Sequence, residues 1–279
     1  MRLQDMDPRA SIILAGKLSA SRASVKTPAT MQAAVEFPRL DVVDNFPAYD
    51  KASAYLKAMI TEHNYKLIAD IGGGANPMLD DDFIVNNNIQ YSLIDKSGAE
   101  LLKANCLYRK IEADATSDSE TFQNAISGRK FDLIFSHMFL EHIENPVQAH
   151  KNFYDALNPG GRCVHFYPSP NNLPLVLNRL LPEAVSIYLL KIAQPTRDLE
   201  GAGGKFKAFY KMCGAPNAAL AAVFEDIGYT IVQHTGYIGH GYYERFKSVA
   251  AFERRLRNII HKLRIPLTSG CLLVLEKRA

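Results

Sequence analysis

The sequence predicts an α/β fold in which helices cover both faces of a mainly parallel sheet. Apolar, β-branched runs alternate with helical patterns along most of the 279 residues. The first clear run, residues 67–71, leads directly into Gly72, Gly73 and Gly74. With 47% hydrophobic and 22% charged residues, the composition is sufficient for a full core. We therefore expect one α/β domain with elaborations rather than two equal domains.

The predicted elements follow in order along the chain. Residues 1–45, which lack hydrophobic periodicity, are expected to form a partly mobile arm, and residues 46–279 are expected to form the α/β domain. A helix is expected at 48–62, ahead of the first strand. Seven strands are expected at 66–71, 90–94, 107–112, 131–136, 161–167, 229–233 and 271–276.

Two segments, at 168–213 and 236–268, are longer than the sheet requires. The first includes an apolar stretch expected to be helical, and the second includes an amphipathic one. Ligands of open α/β sheets bind outside the carboxyl ends of the strands. Because both segments follow strands that end there, we expect them to form a substrate cap; packing elsewhere or an oligomer contact is the alternative.

The segment around the three glycines is the first candidate binding site. Asp70 lies just before them, and glycine allows the backbone to turn sharply and to pass close to a ligand. Asn76 and Pro77 are suited to begin a helix, whose N-terminus would favour a nucleotide or a carboxylate. A dinucleotide fingerprint fits poorly, because its last glycine would fall at Pro77.

Four further motifs follow at regular distances. The second strand ends at Asp95, where a carboxylate can accept hydrogen bonds from ribose hydroxyls. The third ends in residues 111–115, and the fourth runs into residues 136–142, Ser-His-Met-Phe-Leu-Glu-His. Residues 157–161, Leu-Asn-Pro-Gly-Gly, precede the fifth strand. In this order, the motifs resemble those of the class I S-adenosylmethionine (SAM)-dependent methyltransferases, over residues 46–168.

The resemblance implies a Rossmann-like sheet with an antiparallel last strand, and SAM as the cofactor with S-adenosylhomocysteine (SAH) as the product. In the family, the first acid and the glycine-turn amides hold the amino-acid end of SAM, and an acid after the third strand bonds adenine. Asn76 stands where the family usually has its last glycine. The implied cofactor site comprises Asp70, Gly72, Gly73, Gly74, Asn76, Asp95, Lys96, Asp114, Ala115, Ser136 and His137.

Two histidines are candidates for the catalytic base. A hydroxyl acceptor must lose its proton, and histidine can accept one near neutral pH. His137 follows the fourth strand directly, and His142 lies one turn further on. The alternative is that this segment only shapes the SAM pocket, as it often does in the family. A hydroxyl oxygen is the expected acceptor, whereas nitrogen and carbon acceptors stay open.

Aromatic and basic residues in the two insertions are candidates for acceptor binding. Residues 205–213 and 239–243 look like segments of methyltransferases from bacterial surface-polysaccharide gene clusters, which implies a sugar on a phosphate carrier. Solvated lysines at the start of an amphipathic helix are the alternative interpretation. The candidate residues are Tyr167, Lys205, Tyr210, His240 and Tyr243.

Charge and cysteine content narrow the expected partners. A formal net charge of +3 does not indicate nucleic acid. The four cysteines are widely spaced, so no zinc site or redox pair is predicted and a reducing cytoplasm is expected. Residues 243–264 are amphipathic and basic. A surface helix that covers the sheet edge is favoured over one that lies on anionic lipid at the inner face of the membrane.

Two other functions compete with this one. A non-catalytic SAM-binding scaffold would use the insertions to bind a partner protein. An RNA methyltransferase would usually carry a basic appended domain or an Asn-Pro-Pro-Tyr-like tetrapeptide after the fourth strand, and residues 136–139 do not match it. The sequence therefore favours a SAM-dependent methyltransferase that acts on a small or carrier-linked acceptor.

Overall fold

The computed structural model describes residues 39–105, 108–172, 207–241 and 246–278. Most of the predicted arm, most of the first insertion, and the candidate residues Lys205 and Tyr243 lie outside the described residues. Within the described ranges, eight strands form one sheet, and helices connect many of them.

The sheet has the strand order β1-β7-β8-β6-β5-β2-β3-β4. Its strands are β1 (Arg39–Val42), β2 (Leu67–Ile71), β3 (Gln90–Asp95), β4 (Arg109–Glu112), β5 (Phe131–His137), β6 (Leu157–Pro168), β7 (Tyr229–Ile238) and β8 (Gly270–Lys277). The described helices are α1 (Ala52–His63), α2 (Asp81–Asn86), α3 (Gly98–Lys103), α4 (Ser119–Ala125), α5 (Pro146–Ala156), α6 (Ala218–Ile227) and α7 (Lys247–Lys262), with 3₁₀ turns at Pro47–Tyr49 and Leu140–His142.

The predicted fold class is confirmed. β8 is antiparallel to both of its neighbours, β6 and β7, and the other strand pairs are parallel. The strand count differs from the predicted seven, because β1 joins the sheet from within the range predicted as the arm. It pairs in parallel with β7, from Arg39 opposite Thr235 to Val42 opposite Ile238. Four residues are too few to reveal a strand period in the sequence.

Hydrophobic cores lie on both faces of the sheet. On one face, Ile134 packs with Phe153 of α5 and Phe224 of α6. On the other face, Leu133 packs in a cluster that includes Leu56 of α1. Because successive residues of a strand point to opposite faces, β5 contributes to both cores. The central strands are thus covered on both sides, as parallel sheets require.

The Leu-Asn-Pro-Gly-Gly motif forms an irregular stretch of β6 rather than a separate turn. The β5–β6 register shifts beside it, and Gly160 adopts a left-handed φ of 75°.

Asp132 connects three segments at this end of the sheet through hydrogen bonds. Its Oδ2 accepts hydrogen bonds from the Lys66 and Leu67 amides at 2.9 Å, and its Oδ1 accepts one from the Asn158 side chain at 2.8 Å.

The second insertion begins with sheet structure, because β7 continues to Ile238. Its helix α7 lies along the edge strand β1, and His261 Nε2 lies 2.8 Å from the Leu40 carbonyl oxygen. Ile260 of this helix is buried in a small cluster with Leu40 and Ile238. This packing agrees with the favoured interpretation of a helix that covers the sheet edge. No helix in the described ranges combines the length and apolar character that crossing a membrane demands.

Candidate active site

The carboxyl ends of β2 and β5 form the crevice in which this type of sheet binds ligands. The two strands are neighbours, but the chain continues from β2 towards one edge of the sheet and from β5 towards the other. Such a switch in strand order opens a crevice at the carboxyl edge. The glycine loop follows β2 at this point, and His137 is the last residue of β5.

The glycine loop is held so close to its surroundings that side chains have no room. Gly72 has a left-handed φ of 75°, and its amide donates to the Ile94 carbonyl at 2.8 Å. A Cβ built on Gly72 would lie 2.3 Å from Cδ2 of Phe139, and one on Gly73 would lie 2.7 Å from Cγ of Asp70. Both distances are shorter than the non-bonded contacts that Cβ atoms make in proteins, so the loop in this conformation requires glycine at these positions.

Asp70 is buried beneath this loop and supports its backbone. Its Oδ2 accepts hydrogen bonds from the Tyr91 hydroxyl at 2.7 Å and from the Met78 amide at 3.3 Å. Burial raises the pKa of Asp70 to about 7, although these hydrogen bonds oppose the rise. The structure therefore shows that Asp70 Oδ2 bonds to the protein itself, and Tyr91 is a partner that the motif did not predict.

The helix predicted to begin at Asn76 begins instead at Asp81. The Asn76 amide closes a turn on the Gly73 carbonyl at 2.9 Å. Asp80 is the N-cap, and its carboxylate accepts a hydrogen bond from the Phe83 amide at 2.9 Å. Acidic residues follow Asp80 in the first turn, where negative charge is favourable, so this is the stronger helix start. The prediction of a helix N-terminus at Asn76 is wrong.

Asp95 ends β3 beside the glycine loop. Its Oδ1 accepts a hydrogen bond from the Ser97 amide at 2.8 Å. Its Oδ2 faces Gly74, where a built Cβ would lie only 3.3 Å away. The next residue, Lys96, is exposed. Asp95 thus holds one carboxylate oxygen against its own turn and directs the other towards the loop.

Asp114 follows β4, the next strand of the sheet. Its side chain is exposed, and Oδ1 accepts hydrogen bonds from the amide and hydroxyl of Thr116 at 2.8 and 2.7 Å. Ala115 is buried, and its carbonyl accepts a hydrogen bond from the Asn152 side chain at 2.9 Å. Asp70, Asp95 and Asp114 therefore lie at the carboxyl ends of three adjacent strands.

His137 is half-buried at the end of β5, and one of its ring nitrogens is engaged. Nε2 lies 2.9 Å from the Ala48 carbonyl oxygen, which places the proton on Nε2 and leaves Nδ1 as the basic nitrogen of the neutral ring. Burial lowers the pKa of His137, so the ring is neutral at pH 7. The adjacent Ser136 is fully buried, and its hydroxyl pairs with His165 Nδ1 at 2.8 Å. The Ser136 side chain therefore belongs to the core.

His142 lies at the same edge, under residues 207–213, which return from the first insertion. Its Nδ1 lies 3.1 Å from the Lys207 carbonyl oxygen. The amides of Phe209 and Tyr210 donate to the Glu141 carbonyl at 2.7 and 3.1 Å. The structure thus brings together His142 and Tyr210, two predicted site residues. Tyr210 has a left-handed φ of 52°, a costly conformation that clusters at functional sites.

Glu141 places a buried carboxyl beside His142. The residue is 4% exposed, and its Oε2 has no hydrogen-bond partner among the described residues. Burial raises the pKa of Glu141 to about 7. Its Oε1 lies 3.7 Å from His142 Nε2. The Leu-Glu-His motif shows that the two residues are adjacent, but only the fold shows that the carboxyl is buried.

Tyr167 does not reach an accessible surface. The residue is fully buried, and its hydroxyl donates to the Gly214 carbonyl at 3.2 Å and lies 2.8 Å from His234 Nε2. Both hydrogen-bonding capacities of the hydroxyl are used inside the protein. The prediction that Tyr167 contacts the acceptor therefore has no support in the geometry, because strand alternation carries its ring into the core.

His240 follows β7 and is held by the only acidic residue of α7. Its Nε2 lies 3.3 Å from Oε1 of Glu253, which also forms an ion pair with Arg257 at 2.5 Å. Burial, followed by the Arg257 charge, lowers the pKa of His240 to about 4. His240 lines a small pocket together with Asn45, Phe46, Tyr49, Asn172, Gly239, Gly241 and Ser269.

The strand order and the three acids around a glycine loop define a cofactor-binding α/β fold of the Rossmann type. The residues present fit the site that the resemblance implies for SAM, because the backbone of Gly72 is free of side chains, Asp95 Oδ2 faces the loop and Asp114 is exposed at the same edge. The sequence model of the family described as "Methyltransferase domain" matches residues 69–163, from β2 into β6. Residues 69–163 therefore form a methyltransferase domain, and SAM is the cofactor that this domain type uses.

Solved structures with similar folds have low sequence identity to this chain. An S-adenosylmethionine-dependent methyltransferase from Mesorhizobium loti is 15% identical with a TM-score of 0.49, over 82% of this chain and 99% of that one. One from Clostridium acetobutylicum is 13% identical with a TM-score of 0.46, over 83% and 92%. The plantazolicin methyltransferase BpumL, solved in complex with SAH, is 15% identical with a TM-score of 0.47, over 84% and 85%. A comparison with curated protein sequences gives no match.

Proposed function

We propose that the enzyme methylates a hydroxyl oxygen of a small or carrier-linked acceptor, with a sugar as the favoured one. The observation that carries the proposal is the neutral, half-buried His137 at the end of β5, the strand next to the glycine loop. When bound, SAM supplies a methyl group on a positively charged sulfur. A hydroxyl acceptor needs a base, and a histidine that is neutral at pH 7 is suited to that role.

In the proposed reaction, His137 receives the acceptor's proton. The Ala48 carbonyl holds the ring through Nε2, so that Nδ1 accepts the proton from the hydroxyl. His142 is the alternative base, because it lies at the same edge of the sheet with the Glu141 carboxyl 3.7 Å from its Nε2. The cofactor residues of the proposal are those predicted from the motifs, with Asp70 and Ser136 contributing through the loop and strand that they support.

We propose that the acceptor is recognised by residues of the two insertions, which form a cap over the carboxyl edge. Tyr210 and His240 are its described candidates, and Lys205 and Tyr243 complete the set outside the described residues. Lys211 is only weak evidence for a phosphate-bearing acceptor, because its Nζ already donates a hydrogen bond to the Glu144 carbonyl at 2.8 Å. The looser resemblance to polysaccharide-cluster enzymes supports a role in polysaccharide biosynthesis.

The proposed setting is the cytoplasm, with peripheral contact at the inner face of the membrane. Residues 1–45 remain the proposed arm, apart from the strand β1 that the sheet contains. Nothing in the described structure favours the non-catalytic scaffold or the RNA methyltransferase over this proposal.

Asp95→Ala is expected to weaken SAM binding by roughly 1–3 kcal/mol, because the ribose hydroxyls lose their charged acceptor. Titration calorimetry with SAM and with SAH measures the change. Asp226→Ala, at an exposed acid on α6, is the matched control and should leave both affinities unchanged. Equal SAM affinity in Asp95→Ala and the parent protein would remove Asp95 from the site.

The acceptor proposal is tested by SAH release with methyl glycosides, phenols and primary amines as candidate acceptors. Methylation of a glycoside hydroxyl is expected, and turnover of amines alone would contradict the proposal. His137→Gln should then lower kcat by about a hundredfold or more, since a positioned base contributes about 10²–10⁴-fold. Because His137 is also one of the predicted cofactor residues, kcat is measured at saturating SAM, so that a loss of SAM affinity does not contribute to the expected fall. A smaller loss in His137→Gln than in His142→Gln would transfer the base to His142.

A further inference from the structure

Helix α7 carries a second apolar surface that the sheet does not cover. On its inner side Ala250 and Ile260 are buried, and Ile260 packs with Leu40 of β1 and Ile238 of β7. On another side, Val249 is 46% exposed, Phe252 68% and Ile259 53%. Leu263, just after the helix, is 64% exposed. The spacings of three, seven and four residues place these four side chains in one stripe along the helix. We call them the outer stripe.

The rest of the exposed surface of α7 is positively charged. Its exposed basic residues are Lys247, Arg254, Arg255 and Lys262, of which Arg255 and Lys262 lie next to the outer stripe. The one acidic residue of α7, Glu253, is buried against Arg257 and His240 and contributes no charge to this surface. An exposed apolar stripe on an otherwise basic helix is the pattern of a helix that lies in the surface plane of an anionic bilayer. A soluble surface helix, by contrast, exposes its polar face.

We infer that the outer stripe of α7 docks the enzyme on anionic lipid bilayers. The stripe enters the boundary between headgroups and acyl chains, and the arginines and lysines pair with lipid phosphates. Charge complementarity selects the lipid surface over a second copy of this chain, because two copies would bring the basic surfaces together. This docking surface is distinct from the packing that covers the sheet edge, so both interpretations of the amphipathic sequence hold.

The inner side of α7 fixes the outer stripe in place relative to the active site. Arg257 donates from Nη1 to the Val43 carbonyl at 2.7 Å and from Nη2 to the His240 carbonyl at 2.6 Å. It thereby ties the helix to the loop after β7, which leaves the sheet at the same carboxyl edge as the glycine loop. Docking through α7 would therefore bring the cap region near the bilayer. If the proposed function holds, the acceptor class is a sugar on a lipid carrier.

The test is flotation of the full-length protein with phosphatidylcholine vesicles and with vesicles that contain roughly one third phosphatidylglycerol. Binding is expected only with phosphatidylglycerol, and high salt should weaken it. Phe252→Ser with Ile259→Ser should reduce the bound fraction about tenfold, as should Arg254→Glu with Arg255→Glu. Val85→Ser with Leu102→Ser, at exposed apolar residues on α2 and α3, is the matched control and should bind as the parent protein does.

SAM affinity of every variant, measured by calorimetry, separates this inference from the proposed function. Normal SAM binding without flotation on phosphatidylglycerol vesicles would overturn the docking inference and leave the methyltransferase intact. Flotation that survives both α7 double substitutions would also overturn it. So would a dimer in light scattering that Phe252→Ser with Ile259→Ser dissociates, because a second copy would then cover the stripe.

Discussion

Gly72→Val is expected to lower SAM affinity by about a hundredfold or more, roughly 2.7 kcal/mol. A Cβ at this position would lie 2.3 Å from Cδ2 of Phe139, and the φ of 75° is unfavourable for a β-branched residue. The loop must move or the Phe139 ring must turn away. Either change displaces the backbone amides that we propose hold the amino-acid end of SAM. Calorimetry with SAM and SAH measures the loss, and circular dichroism verifies the fold.

Two further variants distinguish the steric clash with Phe139 from the backbone strain as the cause of the lost SAM affinity. Gly128 also has a left-handed φ, of 63°, but a Cβ there meets nothing within 4 Å. Gly128→Val therefore carries only the backbone penalty and should bind SAM normally. Adding Phe139→Ala to Gly72→Ala removes the ring that a Cβ would strike, and it should restore part of the affinity lost in Gly72→Ala. Undiminished SAM binding by a folded Gly72→Val protein would show that this loop is not the cofactor site.

Most of the sheet could be predicted because its central strands are covered on both faces. β2, β3 and β5 bury almost all of their residues, so their sequences are nearly continuous apolar runs. The glycine loop could be predicted for a related reason, since the close approach of Phe139 to Gly72 excludes a side chain. Burial on both faces and the absence of room for a side chain each restrict the residue type at the position itself, so both can be recognised in the sequence.

The parts that could not be predicted depend on contacts between distant residues. Asp70 and Ser136 lie in motifs typical of cofactor sites, yet their side chains bond to Tyr91 and His165, which are 21 and 29 residues further along the chain. The edge strand β1 is likewise defined by its pairing with β7, almost two hundred residues away. No local pattern contains such partners. The predicted site therefore assigns to the ligand some side chains that the structure assigns to the core.

The same principle explains the two apolar surfaces of α7. The sequence shows one amphipathic, basic helix, for which sheet packing and lipid contact are competing interpretations. The structure divides the apolar residues, because Ile260 faces Leu40 and Ile238 while Phe252 and Ile259 face away. A hydrophobic residue count cannot make this division, since it depends on which side of the helix meets the sheet.

His150→Phe is expected to make the protein less sensitive to acid. His150 lies on α5 among the rings of Phe153, His165, Phe224 and Tyr229, and burial lowers its pKa to about 3. The folded state therefore keeps the ring neutral, while the unfolded chain takes up a proton below its ordinary pKa of about 6.5. Because the unfolded state binds more protons there, stability falls as pH decreases from about 6.5 towards 3.

The size of the effect follows from the proton uptake. At about pH 5, roughly 1.5 units below the unfolded pKa, the cost is about 2 kcal/mol, a large share of a typical free energy of unfolding. Urea unfolding should show His150→Phe about 2 kcal/mol more stable relative to the parent protein at pH 5 than at pH 7.5. Phe153→Leu is the control, because losing a neighbouring apolar ring should cost the same at both pH values. A pH-independent difference for His150→Phe would mean that the imidazole becomes protonated inside the fold. Protonation would require water or an acidic partner at the ring, and Nδ1 has no hydrogen-bond partner among the described residues.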